Sequence, residues 1–203
     1  MNAAEFTALL VLATAMSFTP GPNTTLSTAL AANHGLKRAL PFVCSVPIGF
    51  GALLCVCALG LGALLLALPL LGWVVKLVGV AYLLWLAWKL VQATGLASAN
   101  AAQMNVGFWQ GASLQFMNIK GWMLALAIMG GWIAGREHPG ARFAIVLPVL
   151  LVFTFASTLS YALMGSLLRD WLAGPAQTGM RLRWFNRAMA AVLVLTAGWM
   201  LTV

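Results

Sequence analysis

A double-proline break interrupts the first apolar segment of this chain at Thr19-Pro20-Gly21-Pro22-Asn23. Proline has no backbone N–H, so Pro20 and Pro22 cannot both lie in an unbroken helix, and carbonyl groups in the preceding turn lose their donors. If the segment spans a bilayer, irregular backbone survives only where protein buries it or where it lines a water-filled cavity. The break therefore predicts an internal cavity bordered by free backbone groups.

The composition of the chain identifies it as a membrane protein. It is 63% hydrophobic and only 7% charged, whereas soluble domains carry roughly 25% charged residues. Six apolar segments approach the length of about 20 residues that a spanning helix needs. They run at about 4–32, 40–68, 73–91, 107–133, 143–168 and 184–203. We predict an all-α integral membrane protein with six transmembrane helices in one compact membrane domain, the first helix broken at Pro-Gly-Pro.

A second polar interruption, at residues 115–121, lies at the corresponding place in the fourth segment. Because three segments form each half, a duplicated second half would lie upside down relative to the first. We therefore predict two inverted three-helix repeats, 1–95 and 107–203, joined by a mid-chain loop at 96–106. The two interruptions would face each other near the bilayer midplane, and paired interruptions of this kind indicate a transporter binding site.

Lys120 is the residue of the fourth segment that most needs an explanation. A cation there costs roughly 2.5–3.5 kcal/mol on insertion scales, so such a side chain usually faces a cavity or a partner. The alternative is a lysine that extends to the interface. Gln115 and Asn118 share one helical face, whereas Lys120 points nearly the opposite way on an unbroken helix. Only a local distortion would let Asn118 and Lys120 serve one site.

The fifth segment carries a stripe of hydroxyl groups and glycine along one helical face. It is formed by Thr154, Ser157, Thr158, Tyr161 and Gly165. Such a stripe suits a polar path and tight helix packing equally well. The pairs Gly107/Gly111 and Ser45/Gly49 are more typical of packing surfaces. Members of the stripe and of the two interruptions form the predicted substrate-binding set: Pro20, Gly21, Pro22, Asn23, Gln115, Asn118, Lys120, Thr154, Ser157 and Tyr161.

Several kinds of chemistry are not indicated. The three acids, Glu5, Glu137 and Asp170, lie near segment ends, and no acid pair, metal cluster, phosphate loop or nucleophile–base pair is present. We therefore predict no enzyme activity, no metal and no cofactor. The three cysteines fall in one apolar segment, where we expect them to be small buried side chains.

The cations predict the orientation in the bilayer, since positive loops remain on the cytoplasmic side. Seven lysines and arginines lie at one face of the predicted bundle: Lys37, Arg38, Lys89, Arg169, Arg181, Arg183 and Arg187. Three lie at the other face: Lys76, Arg136 and Arg142. This distribution favours both termini outside. The net charge of +8 does not indicate nucleic-acid binding, which needs clustered cations.

These motifs together resemble the lysine exporter (LysE/RhtB) superfamily of amino-acid efflux proteins. The resemblance runs from the first break through Gly79-Val80-Ala81-Tyr82-Leu83 and Gly107-Phe108 to Trp184-Phe185-Asn186-Arg187. It implies ion-gradient-driven export of amino acids or small derivatives across a bacterial-type inner membrane. Asn118-Ile119-Lys120 stands where the family usually has Asn-Pro-Lys, so we expect that a break is not enforced there.

The leading hypothesis is therefore a secondary exporter that works by alternating access around a midplane site. Its partners would be a small amino-acid substrate and the lipid bilayer, and its glycine faces would permit a homodimer without requiring one. The alternative is a non-transporting membrane scaffold or accessory subunit, which would explain the packing motifs but not a polar break in both halves. The sequence leaves the particular amino acid and the coupling ion open.

Overall fold

The computed structural model describes residues 1–60, 62–63, 67–93, 106–174 and 179–202. All regular elements in this part of the chain are helical. A five-residue π-helical turn, Met129–Ile133, continues the sixth helix. The α-helices are α1 Ala3–Phe18, α2 Pro22–His34, α3 Leu36–Ala58, α4 Pro69–Gln92, α5 Phe108–Met117, α6 Ile119–Ile128, α7 Pro139–Ala173 and α8 Met180–Thr202.

Four single helices, α3, α4, α7 and α8, are long and apolar enough to cross a membrane. Two further spans are bent pairs: α1 and α2 meet at 50°, and α5 and the helix Ile119–Ile133 meet at 67°. The all-α membrane architecture and the broken first helix are thus confirmed, with six spans when each bent pair is counted as one. The element bounds differ from the prediction at α3, which ends at Ala58 because Gly60 takes a left-handed φ of 101°.

The helices pack between the two halves of the chain rather than within each half alone. Helix α2 packs against α7, α3 packs against both α5 and α7, and α4 packs against α8. The first span thus contacts the fifth, the second contacts the fourth, and the third contacts the sixth. An inverted repeat would give this exchange of partners, and the repeat itself stays a prediction. Of the predicted loop at 96–106, all but Val106 lies outside the described residues.

Small residues allow these helices to approach closely, as is usual in lipid. A Cβ atom added at Gly165 in α7 would overlap the Thr28 carbonyl of α2. One at Gly49 in α3 would overlap Ala112 of α5, and one at Gly111 would overlap Ser45. The packing role predicted for the Ser45/Gly49 pair and for Gly111 is therefore confirmed.

The expectation that all three cysteines are buried is wrong. Cys57 is buried, but Cys44 and Cys55 are exposed. One face of α3 packs against α5 and α7, and these two residues lie on its outward side. An apolar segment of this kind conceals which face is outward, because lipid-facing and core-facing residues are equally apolar.

Candidate functional site

The first break leaves the end of one helix beside the beginning of the next. Helix α1 ends at Phe18, and Thr19 and Gly21 are extended. Pro22 is the first residue of α2, a position where its missing N–H breaks no hydrogen bond. The Gly21 N–H donates to Oγ1 of Thr24 at 2.9 Å, so this end of α2 is capped within its own segment.

The last carbonyls of α1 receive their donors from the second half of the chain. Ser157 Oγ donates to Ser17 O at 2.6 Å, Tyr161 OH donates to Phe18 O at 2.9 Å, and Lys120 Nζ donates to Thr19 O at 2.7 Å. The cation thus lies at the end of a helix where the dipole is negative, a stabilising arrangement. Lys120 does not extend to an interface but turns inward to the first break.

The second break forms without a proline. Asn118 is extended, with φ −95° and ψ 101°, and its side chain accepts a hydrogen bond from the Lys120 backbone N–H at 3.2 Å. It is therefore the N-cap of α6, and Ile119 takes the first helical position. The break forms although no proline at residue 119 enforces it, because an asparagine cap is sufficient to start a new helix. This break supplies the distortion that brings Asn118 and Lys120 to one site.

A pair of side-chain amides connects the two breaks. Asn23 Nδ2 donates to Gln115 Oε1 at 2.9 Å, and Gln115 Nε2 donates back to Asn23 Oδ1 at 3.1 Å. Gln115 is buried, and its Nε2 also donates to Gly111 O at 3.0 Å. The reciprocal pair fixes the start of α2 beside the end of α5.

Between the breaks lies a cavity of about 50 Å³. It contains eight of the predicted residues: Gly21, Pro22, Asn23, Gln115, Asn118, Lys120, Thr154 and Ser157. Pro20 and Tyr161 do not line it; they shape the break beside it. Residues that the sequence reasoning did not place at the site complete the lining: Met16, Ser17, Thr19, Thr24, Phe50, Gly121, Leu124 and Thr158. Thr24 was detectable as a capping residue, and Thr158 belongs to the hydroxyl stripe.

The lining of the cavity contains both positive and electron-rich groups. Lys120 is the one charged residue in its lining, and none of the described lining residues is acidic. The first turns of α2 and α6 border it, and helix N-termini attract anions. The C-terminal carbonyls of α1 are electron-rich, and Thr19 O among them is in contact with Lys120 Nζ. The lining therefore presents binding partners for an anionic group and for an ammonium group.

Two broken spans that meet at a polar cavity inside an apolar helical bundle define a membrane transport protein. A family model described as LysE type translocator matches residues 14–202, and the chain belongs to this family. It is accordingly a translocator and not an enzyme.

The relatives that match the chain include three bacterial proteins named cysteine/O-acetylserine efflux protein. The one from Klebsiella pneumoniae subsp. pneumoniae is 29% identical over 205 aligned positions, covering 97% of each chain. The one from Salmonella choleraesuis is 31% identical over 155 positions, covering 75% of this chain and 78% of its own. The one from Escherichia coli O1:K1 / APEC is 36% identical over 115 positions, covering 54% of each. No solved structure matches the chain.

Proposed function

We propose that this protein is a secondary transporter that exports amino acids or small amino-acid derivatives from the cytoplasm, driven by an ion gradient. The names of the bacterial relatives support this substrate class, and the cavity between the breaks supports the place of binding. The observation that carries the proposal is the contact of Lys120 Nζ with the Thr19 carbonyl at 2.7 Å. It joins the charged group of the second break to the open backbone of the first.

The substrate carboxylate would bind Lys120 through a charge-assisted hydrogen bond, the stronger kind of hydrogen bond. The adjacent N-terminal turns of α2 and α6 add to the positive potential there. The amide groups of Asn23, Gln115 and Asn118 and the hydroxyls of Thr154 and Ser157 would orient the remaining polar groups. Pro20 and Tyr161 would act indirectly, by holding the shape of the first break.

Alternating access would move one half of the bundle against the other. A buried water needs roughly 10–15 Å³ of cavity volume. The cavity of about 50 Å³ therefore has room for a few waters. An amino acid requires it to widen. The contacts that would change are those between halves: the Asn23–Gln115 amide pair and the donors to the α1 carbonyls.

We further propose a multi-pass location in the bacterial inner membrane with both termini outside. The distribution of cations supports this orientation. On the face predicted outside, Glu5 lies 3.2 Å from Arg142 and 3.7 Å from Arg136, and its negative charge offsets one of the three positive charges there. Labelling of a cysteine placed at residue 2 by an impermeant reagent in intact cells tests it. Labelling only after lysis would show that the N-terminus is inside and would contradict the proposed orientation.

Counterflow of a panel of amino acids in proteoliposomes tests the transport function. We expect uptake with the unaltered chain and its loss in Lys120→Ala at equal protein content. Lys76→Ala is the matched control, because Lys76 lies over the Trp73 ring at 4.8 Å and away from the cavity. Undiminished flux in Lys120→Ala would refute the site. No flux for any amino acid, with a stoichiometric protein partner, would favour the scaffold alternative.

A further inference from the structure

The three carbonyl groups at the end of α1 are not equivalent. Neutral hydroxyl groups donate to two of them, the Ser17 and Phe18 carbonyls. The third, Thr19 O, receives the ammonium of a long, flexible side chain, Lys120. A hydroxyl on a short or rigid side chain stays where its helix places it, whereas a lysine ammonium can leave its acceptor by rotation of its stem.

We propose that a zwitterionic substrate binds by inserting itself between the Lys120 ammonium and the Thr19 carbonyl. Its carboxylate takes the Lys120 ammonium, and its own ammonium takes the carbonyl that the lysine vacates. In the empty protein, the Lys120 ammonium thus occupies the site for the substrate amine, which is the position beside Thr19 O. This inference rests on the proposed function and deepens it by assigning a partner to each charged group of the substrate.

The site for the substrate amine is assigned from the charges of the groups that line the cavity. A substrate ammonium needs acceptors, and none of the described lining residues is a carboxylate. The carbonyls at the C-terminal end of a helix carry negative partial charge and attract cations. Thr19 O already accepts a hydrogen bond from an ammonium group at 2.7 Å, so this carbonyl is positioned to bind a cation.

The path of the lysine stem agrees with such a movement. A Cβ atom added at Gly21 would lie 3.5 Å from Cδ and 3.6 Å from Nζ of Lys120. The lysine therefore runs along Gly21, which has no side chain of its own to confine it. The substrate would enter this same space, and the lysine would turn toward the N-terminal turns of α2 and α6 with the carboxylate bound.

Insertion predicts that both charged groups of the substrate are needed. A ligand with an amine but no carboxylate would place a second ammonium beside Lys120, and like charges repel strongly in a low-dielectric interior. A ligand with a carboxylate and an acylated amine would draw Lys120 away and leave the Thr19 carbonyl without a charged donor, at a penalty of about tenfold or more in affinity.

Three thiols test the inference: L-cysteine, cysteamine, which lacks the carboxylate, and N-acetylcysteine, whose amine is acylated and uncharged. We expect unlabelled L-cysteine to compete in counterflow of labelled L-cysteine at least about tenfold better than either analogue. Competition by cysteamine or N-acetylcysteine within threefold of L-cysteine would overturn the inference while leaving transport intact. If L-serine is carried instead of cysteine, then ethanolamine and N-acetylserine are the analogues. Absence of counterflow for the whole amino-acid panel would defeat the proposed function itself.

A lysine variant supplies a second readout that loss of structure would not produce. In Lys120→Met the Thr19 carbonyl is open, so an amine without a carboxylate should bind better relative to the amino acid. We expect the affinity ratio of cysteamine to L-cysteine, measured by ligand-induced thermal stabilisation, to rise about tenfold or more. Lys76→Met should keep the ratio of the unaltered chain. An unchanged ratio in a folded Lys120→Met protein would overturn the inference.

Discussion

The two helix breaks reach the same geometry in different ways. At the first, two prolines force a bend of 50°, and the exposed carbonyls of α1 depend on donors from the other half of the chain. At the second, an asparagine cap accompanies a larger bend of 67°. The Phe116 carbonyl there accepts from Nε1 of Trp122 at 2.9 Å, within the same segment.

This difference indicates which break can change during transport. The second break is satisfied locally and is expected to behave as a rigid corner. At the first break, the α1 carbonyls have these donors only while the halves are in contact. A movement between the halves therefore exposes these carbonyls to a new partner. A substrate ammonium is such a partner.

The largest effect that tests this comparison is expected from Gly79→Ala. Its Cβ atom would overlap the Met117 carbonyl, which belongs to the rigid second corner, so neither backbone can move away cheaply. We expect a loss of about 3 kcal/mol in stability, read as a lowered melting temperature in detergent. Gly72→Ala in the same helix is the control, since nothing lies within 4 Å of its added Cβ. Equal melting temperatures for the two variants would contradict a rigid corner.

A smaller effect is expected from removing the hydroxyl donors at the first break. Ser157→Ala or Tyr161→Phe leaves an α1 carbonyl without its donor, at about 1–2 kcal/mol each. Both variants should also lower transport, because the break loses its shape. Ser160→Ala is the control, since that hydroxyl donates to Ala156 O within its own helix. If Ser160→Ala loses as much stability and flux as the two variants, the hydrogen bonds from Ser157 and Tyr161 to α1 do not account for the loss.

Asn118→Ala should weaken the second corner by about 1 kcal/mol, the usual value of an N-cap. Asn118→Ser should recover most of that stability, because serine also caps. Chemical unfolding in mixed micelles measures the free energy of unfolding of both variants. If serine fails to recover what alanine loses, the cap is not what sustains the bend.

The smallest effect is expected from Ile119→Pro, which makes the second break resemble the first. Ile119 occupies the first helical position, where proline is favoured, and the preceding Asn118 is already extended. We expect stability to change by less than about 1 kcal/mol, with transport retained. Ala125→Pro, inside α6, should lose about 3 kcal/mol or more. Misfolding of Ile119→Pro would refute the assignment of residue 119 to the first turn.

The sequence located both breaks because prolines and an intramembrane lysine are local signals with few explanations. It did not show that the second break forms without proline, since whether an asparagine caps a helix depends on the packing around it. Pro47 and Pro148 lie inside the continuous helices α3 and α7. A single proline in the sequence is therefore not enough to predict a break.

The roles of the hydroxyl stripe were also only half visible in the sequence. Spacing placed Ser157 and Tyr161 on one face, but not which carbonyls they meet, because their partners lie more than 100 residues away in the chain. The structure assigns both proposed roles to the stripe: Thr154 and Ser157 line the cavity, and Gly165 packs on α2.

The most direct test of a shared, water-accessible substrate cavity is protection of Thr154→Cys in a chain whose three native cysteines are replaced by alanine. Thr154 lines the cavity from α7, whereas Thr196→Cys on α8 is a control away from it. We expect a water-soluble thiol reagent to modify residue 154 and O-acetylserine, or another amino acid that the protein carries, to slow that reaction severalfold, with no protection at residue 196. An unreactive residue 154, or equal rates with and without a carried amino acid, would contradict the account.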